Sequence, residues 1–467
     1  MALSCRSTAT ATATRACASA VVLLLAGAAG CGDDPELVLK IRVPPDDQGL
    51  FQAVAQLNLT AKRDDVVLAQ QSFAASTASV SLKGVSHGPR TIIALEGVDR
   101  FNQIIAHGRT CPLTFEGANT AAPLYFAPTN FFAPTADTPA ARYRPVAGAL
   151  SDGSVLIVGG HDDQGNAVAS AELFVPGAAT FETITDHSGA RKLAASTWLP
   201  DVGLLVVGGL DGAQPPKPIA EAELFLETQR QFVPIADPRL EGRIGHQLVT
   251  LPDGRALLLG GLAGDTTLNT TLYFAVLADG TYRITPGPLL AEARRGHAAT
   301  VAIGVPIVFG GFNPDGVPLD TVEALNVPYS MSQIIARLKT ARAEATASVL
   351  ADGSILLVGG IGPDGKPLAD AELFNPITRS TEPIALAFPR HGHSATVLPD
   401  GRVLIAGGNV DGAPSNEVEL FVPGVGFLSE RRLGTPRRDH LAVPLCDETV
   451  LLTGGGEGGE VYSGAPR

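Results

Sequence analysis

The sequence predicts an all-β protein, and three observations carry that reading. The first is a short unit written many times along the chain, clearest at Arg390–Gly408 as R-H-G-H-S-A-T-V-L-P-D-G-R-V-L-I-A-G-G. Its two apolar runs flank Pro399-Asp400-Gly401, and Asp-Gly between short apolar runs signals a hairpin, because it supplies the positive φ of a tight turn. The second is the period: Gly-Gly recurs at 159–160, 208–209, 260–261, 310–311, 359–360, 407–408 and 454–455, every 47 to 52 residues. The third is composition, since abundant Gly and Pro with few aromatic residues suit a strand protein rich in turns.

Each repeat extends beyond its hairpin. Ala-Glu-Leu-Phe at 171–174, 222–225 and 371–374, and Val-Glu-Leu-Phe at 418–421, mark a third strand; Phe181, Phe232, Tyr282 and Phe427 mark a fourth. Four strands per repeat with glycines at strand ends describe one blade of a β-propeller, and seven copies make it seven-bladed. An arginine leads every copy: Arg142, Arg191, Arg243, Arg342, Arg390 and Arg437 stand 17 residues before the first glycine. Arg294 stands 16 before it, where Ile303-Gly304 shortens the turn. Over roughly residues 128–467 this pattern resembles the kelch repeat family. The resemblance implies that the loops before strand one and after strand two form the binding face.

Two departures from that family bear on the fold. Kelch blades carry a tryptophan on the fourth strand, whereas here the position holds Phe or Tyr and the lone Trp198 lies elsewhere. The seventh copy also stops soon after Glu460-Val461-Tyr462, without a fourth strand. Asn130-Phe131-Phe132-Ala133 precedes Arg142 as Phe181 precedes Arg191, so residues 130–133 are expected to close blade seven from the other end of the chain.

The first thirty residues carry Arg6 and Arg15, no acid, and a short apolar run at Val21–Ala26, followed by Ala28-Ala29-Gly30-Cys31. This is the pattern of a signal peptide, too short in its apolar part to span a bilayer. Cys31 after Ala-Ala-Gly is similar to a bacterial lipobox, although Ala28 stands where such boxes favour Leu. The resemblance implies cleavage before Cys31, a lipid on its thiol, and a place in the periplasm or outer membrane. Without Arg6 and Arg15 the formal charge moves from −13 to −15, which argues against nucleic acid as a partner. The expected membrane contact is the lipid anchor alone.

Residues 31–127 read as a tether followed by a small β-sandwich. Apolar residues alternate at Leu37, Leu39, Ile41 and Val43, at Val54, Leu57 and Leu59, and at Val80 and Leu82. Thr91–Val98 and Gln103–Ala106 suggest a hairpin across Asp99–Asn102. This domain is expected to space the propeller from the membrane.

Three residue sets repeat with chemical content. The seven arginines fall at equivalent positions around a channel mouth, and Glu172, Glu223, Glu323, Glu372, Glu419 and Glu460 follow on the third strand, with Thr271 in the remaining copy. They predict either buried structural ion pairs or an anion-binding mouth of bidentate guanidiniums. His246, His297, His393 and His440 lie three residues after their arginines, a spacing that packing explains better than a metal site. Acidic loops at Asp163, Asp211, Asp265, Asp315, Asp364 and Asp411 follow the glycine pairs but cluster too few oxygens for calcium. No catalytic set, cofactor motif or metal centre is expected. The copper-radical oxidases, which share a kelch-like propeller, need a cysteine beside a channel copper, and neither Cys111 nor Cys446 falls there.

Those two cysteines are expected to form a disulfide. Cys446 occupies the turn between strands one and two of blade seven, on the face away from the arginines. Cys111 lies in the segment that brings the chain to the closing strand, on the same face. The function expected is a non-catalytic envelope module that binds a protein or an anionic or glycan ligand. An envelope enzyme acting on sugars and a purely structural envelope component are the alternatives.

Overall fold

Continuous apolar runs, not alternating ones, mark strands that are covered on both faces. Seven described strands of the repeats are of this kind: Val155–Val158, Gly203–Val207, Ala256–Leu259, Val305–Phe309, Ile355–Val358, Val403–Ala406 and Val450–Thr453. In the computed structural model each is the second strand of a four-stranded antiparallel sheet. The structure describes residues 21–25, 37–44, 49–64, 66–75, 85, 88–115, 120–135, 141–184, 189–277, 280–326, 331–410 and 412–465.

The inner strands are Val146–Ala149, Ala195–Leu199, Gln247–Thr250, Ala298–Ala302, Thr346–Val349, Ser394–Val397 and Leu441–Pro444, in the first to the seventh sheet. Each packs beside the inner strand of the next sheet, and the seventh packs beside the first. Apolar cores fill the spaces between sheets; Leu204 and Phe225 of the second, for example, pack with Leu156 and Leu173 of the first. Fully burying such a side chain stabilises by about 1.5–3 kcal/mol, which is why the runs are apolar but for Thr453 at the end of the seventh. The result is an all-β arrangement of small repeated sheets, consistent with a propeller.

The outer strand of the seventh sheet comes from far upstream: Phe131–Pro134 pairs antiparallel with Gly459–Ser463. Phe132 lies opposite Tyr462, their rings 4.6 Å apart. Third and fourth strands elsewhere carry the same aromatic cross-strand pair, Phe174 with Phe181 and Phe225 with Phe232, both at 5.0 Å. Such pairs contribute beyond their buried area, so Phe can serve where a tryptophan would.

The hairpin turns differ from the two-residue form that Asp-Gly suggests. At Leu150–Ser154, Gly153 N donates to Leu150 O at 2.9 Å and only the glycine is left-handed, with φ 85°. Asp152 Oδ1 accepts from Ser154 N at 2.9 Å, so the aspartate holds the turn through its side chain. The shortened turn at Ile303-Gly304 is left-handed at both residues, φ 47° and 78°.

Upstream, a three-stranded sheet and a six-stranded sheet share one core. Leu37–Arg42 lies between Val21–Leu25 and Thr120–Tyr125 in the first. In the second, Gln56–Arg63 lies between Val66–Ala74 and Gly88–Val98, followed by Ile104–Arg109 and Ala127–Pro128, with Leu113–Phe115 off the main path. Leu39, Ile41 and Leu124 of one meet Leu57, Leu59, Ile93 and Leu95 of the other. The hairpin turn at 99–102 is fixed by Asp99 Oδ1, which accepts from Phe101 N and Gln103 N at 2.8 and 2.9 Å. Val54 closes a short helix, Leu50–Ala53, instead of opening the next strand. Alternation overlooks Val66–Ala74, an edge strand exposed on most of its length. Residues 1–20, Cys31, Val80 and Leu82 lie outside the described residues.

The two parts of the chain meet at the turn side of the seven sheets. Cys111 and Cys446 are bonded there, Cα atoms 4.9 Å apart. Arg109 pairs with Glu448 at 2.5 Å, and Arg42 donates to Ala178 O at 3.0 Å. A Cβ on Gly153 would lie 2.0 Å from Cys446 Sγ, so the turn of the first sheet must be bare for the disulfide to pass.

Candidate binding cleft on the arginine side

The repeat arginines are inside the protein. Arg142, Arg191, Arg243, Arg294, Arg342, Arg390 and Arg437 are at most 3% exposed. In every sheet one guanidinium nitrogen donates to the carbonyl of the first paired glycine, Gly159, Gly208, Gly260, Gly310, Gly359, Gly407 or Gly454, at 2.8–3.2 Å. In six sheets the other end meets the third-strand glutamate: Arg142–Glu172, Arg191–Glu223, Arg294–Glu323, Arg342–Glu372, Arg390–Glu419 and Arg437–Glu460, at 2.8–3.1 Å. In the third sheet, where Thr271 replaces the glutamate, Arg243 turns to the half-exposed Glu241 at 3.5 Å. Burial pulls Arg142, Arg243, Arg294, Arg390 and Arg437 below the usual arginine pKa, and the glutamates oppose it.

Of the two readings the sequence leaves open, buried ion pairs or an anion-binding mouth, this geometry is that of buried ion pairs. The guanidiniums are engaged within their own sheets, because the third strand carries a carboxylate within reach and the glycine carbonyl points at them. Replacing Arg390 with Gln is expected to cost about 3–5 kcal/mol, since Glu419, 1% exposed, would keep a buried charge without its cation. Denaturant unfolding of R390Q, E419Q and the double variant measures it. A single-variant loss below about 1 kcal/mol would show that the pair does not support the fold.

The paired glycines join one sheet to the next. The second glycine donates to the carbonyl of the following arginine, from Gly160 to Arg191 at 3.0 Å through Gly408 to Arg437 at 2.8 Å; Gly455 donates to Arg142 at 2.7 Å. Both glycines are left-handed, and a Cβ on Gly310 would lie 2.1 Å from Arg342 O.

The four histidines seal the same seam. His246, His297, His393 and His440 press their Cε1 atoms against the first glycine of the preceding sheet, where a Cβ would come within 2.8–3.1 Å. His246 Nε2 meets Val207 O at 3.1 Å; His393 Nε2 meets Thr346 Oγ1, and His440 Nε2 meets Ser394 Oγ, both at 2.9 Å. Burial, and then the neighbouring arginine, pushes His246, His297 and His440 down to about 3 and His393 well below the usual value. They are therefore neutral in the folded protein. Among the described residues no three His, Cys, Asp or Glu side chains are grouped to hold a metal ion. Two of the loop aspartates hold their turns: Asp211 Oδ1 accepts from Ala213 N and Lys217 N at 3.0 and 2.8 Å, and Asp364 Oδ1 from Lys366 N at 3.1 Å. Asp411 lies outside the described residues.

Above this seam all seven sheets converge on one cleft of about 280 Å³. Its rim is the position two residues after each repeat arginine: Arg144, Leu193, Gly245, Gly296, Glu344, Gly392 and Asp439. All seven are left-handed, with φ between 48° and 63°. Backbone hydrogen bonds run between neighbours, from Arg144 N to Asp439 O, Asp439 N to Gly392 O, Glu344 N to Gly296 O and Gly296 N to Gly245 O, at 2.7–2.8 Å. Glycine suits such a rim, and a non-glycine residue there costs of order 1–3 kcal/mol.

Three charged residues nevertheless occupy it. Arg144 Nε donates to Asp439 Oδ1 at 2.9 Å, and its terminal nitrogen reaches Glu344 Oε2 at 3.5 Å, two sheets beyond. His391 Nδ1 lies 3.4 Å from the same oxygen. The nearby His391 imidazole, and then Arg144, hold the Glu344 carboxyl below its usual range although burial opposes them. Burial also works against the charge on Arg144, but Asp439 and Glu344 outweigh it. The sequence reading did not single out these residues. The signal was available: in the aligned repeats the position two residues after the unvarying arginine changes from Gly to Leu, Arg, Glu or Asp. Set beside protein-family models and curated proteins, the chain matches none of them.

Proposed function

We propose that the seven sheets are the blades of one closed, kelch-like propeller, that the chain is exported and anchored to the bacterial cell envelope by a lipid on Cys31, and that it acts there as a non-catalytic module binding an envelope protein or glycan in the cleft. The observation that carries the binding role is the rim: three charged side chains from separate sheets meet at positions whose backbone favours glycine. The hydrogen bond from Gly455 to Arg142 supports closure, because it repeats between the last and first sheets the contact made by every other neighbouring pair. The bonded Cys111 and Cys446 suit an oxidising compartment. A binding role without catalysis is supported by the histidines, which burial holds far below the usual histidine range, whereas a general base works best near the operating pH. At about 280 Å³ the cleft suits one side chain or one sugar ring, not an extended ligand.

The test is capture from detergent-solubilised envelope, with the mature chain as bait. Glu344→Lys with Asp439→Lys, which sets two further cations around Arg144, is expected to abolish capture. Asp253→Ala, on the opposite turn face, is expected to leave capture intact. The reverse pattern would move the binding surface to the turn face.

A further inference from the structure

The geometry points to the guanidinium of an arginine residue, presented by a partner polypeptide, as the group the cleft takes, with Arg144 as its built-in stand-in. This rests on reading the cleft as the binding site. The two rim carboxylates share one cation: Glu344 and Asp439 both meet Arg144, and among the described residues no other arginine or lysine lines the cleft. The seven repeat arginines cannot contribute, since their guanidiniums are buried on the glycine carbonyls. An anion entering here would face two carboxylates and find its only cation already paired.

The floor is shaped for those carboxylates. A Cβ on Gly392 would lie 2.9 Å from Asp439 Oδ1, and one on Gly296 would lie 3.6 Å from Glu344 Cγ. Each acid therefore lies across the bare glycine of the preceding sheet, carboxylate turned to the cleft. A planar fork of N–H donors can bridge two carboxylates held on separate sheets, as Arg144 does, which a compact ammonium does less well.

Arg144 is suited to leave. It is 40% exposed along its side chain, is left-handed at φ 48°, and holds Glu344 only at 3.5 Å. On the other side of the cleft the rim is Leu193, Gly245 and Gly296, without charge. Below it His297, 2% exposed, has no hydrogen-bond partner on either ring nitrogen. A neutral imidazole offers one donor and one acceptor, which the amide groups flanking an arginine residue would satisfy.

The experiment titrates N-acetyl-arginine amide, and N-acetyl-aspartate amide as the anionic probe, against the mature wild type, Arg144→Gly, and Arg144→Gly with Glu344→Gln. Glycine suits the left-handed backbone at 144, so the single variant is expected to fold, and thermal unfolding verifies it. The arginine probe is expected to bind R144G about tenfold more tightly than wild type, and the added E344Q to reverse most of that gain. Preference of R144G for the aspartate probe, or binding of neither probe, overturns the inference. If wild-type capture of an envelope partner persists in saturating arginine amide, the inference fails while the cleft keeps its binding role. If capture does not depend on the rim at all, that role fails instead.

Discussion

Between about pH 7 and pH 5 the protein is expected to lose several kcal/mol of stability, more than its surface carboxylates would explain. His246, His297 and His440 have folded pKa values near 3, and His393 is also well depressed, against 6.5 when exposed. A depressed histidine is neutral when folded and binds a proton only on unfolding. Its contribution is complete above about pH 6.5 and is lost as pH falls from there towards 3, at up to about 1.4 kcal/mol per pH unit for each group. His107 is depressed by burial as well, so five such groups act in the same direction. The structured carboxylates with depressed values, such as Asp152 and Glu344, add their own loss only lower down, below about pH 4.5. Asp447, whose carboxyl burial pushes up, works the other way and is a single group. Urea unfolding across this pH range measures the slope. His297→Phe, which removes one proton site from a residue with no hydrogen bond to lose, is expected to flatten it by about a fifth. A midpoint that stays constant from pH 7 to pH 5 would mean that these rings are accessible to protons in the folded state.

Replacing Phe131–Pro134 by a Gly-Ser stretch of equal length is expected to abolish cooperative unfolding of the seven sheets or to drive self-association. The substitution removes the ladder to Gly459–Ser463 and the Phe132–Tyr462 pair, and leaves the Gly459–Ser463 edge open. Truncating one buried phenylalanine alone costs about 3–5 kcal/mol, and an open edge offers its free N–H and C=O groups to another chain. The disulfide between Cys111 and Cys446 would hold the strand's neighbourhood in place without restoring its hydrogen bonds. Calorimetry together with light scattering on the oxidised chain separates the outcomes. A monomer with an unchanged melting temperature would show that the strand is not needed to complete the sheet.

The repeated sheets were legible because their signals are local. An apolar run with no polar interruption, a turn written in Asp-Gly, and a glycine pair at the strand end each follow from the backbone's own limits, and the period multiplies them seven times. Local patterns also marked Phe131–Phe132 and Arg390 as special. They could not say what Arg390 does, because a guanidinium is a ligand site or a buried strut according to whether a carboxylate lies 2.8 Å away, and Glu419 is 29 residues along the chain. The same holds for the rim. Arg144, Glu344 and Asp439 are 200 and 95 positions apart, and only the arrangement of sheets brings their charges to one cleft. The edge strand Val66–Ala74 escaped notice for the opposite reason: with neither face fully buried, nothing forces its residues to alternate. Sequence alone determined the strands of the repeated sheets, where they turn and how often they recur, because these depend on residues within one hairpin. Tertiary structure decided which charges are paired, which histidines are sealed neutral and where a cleft remains, because electrostatics and burial act through distances that the chain closes only when it folds.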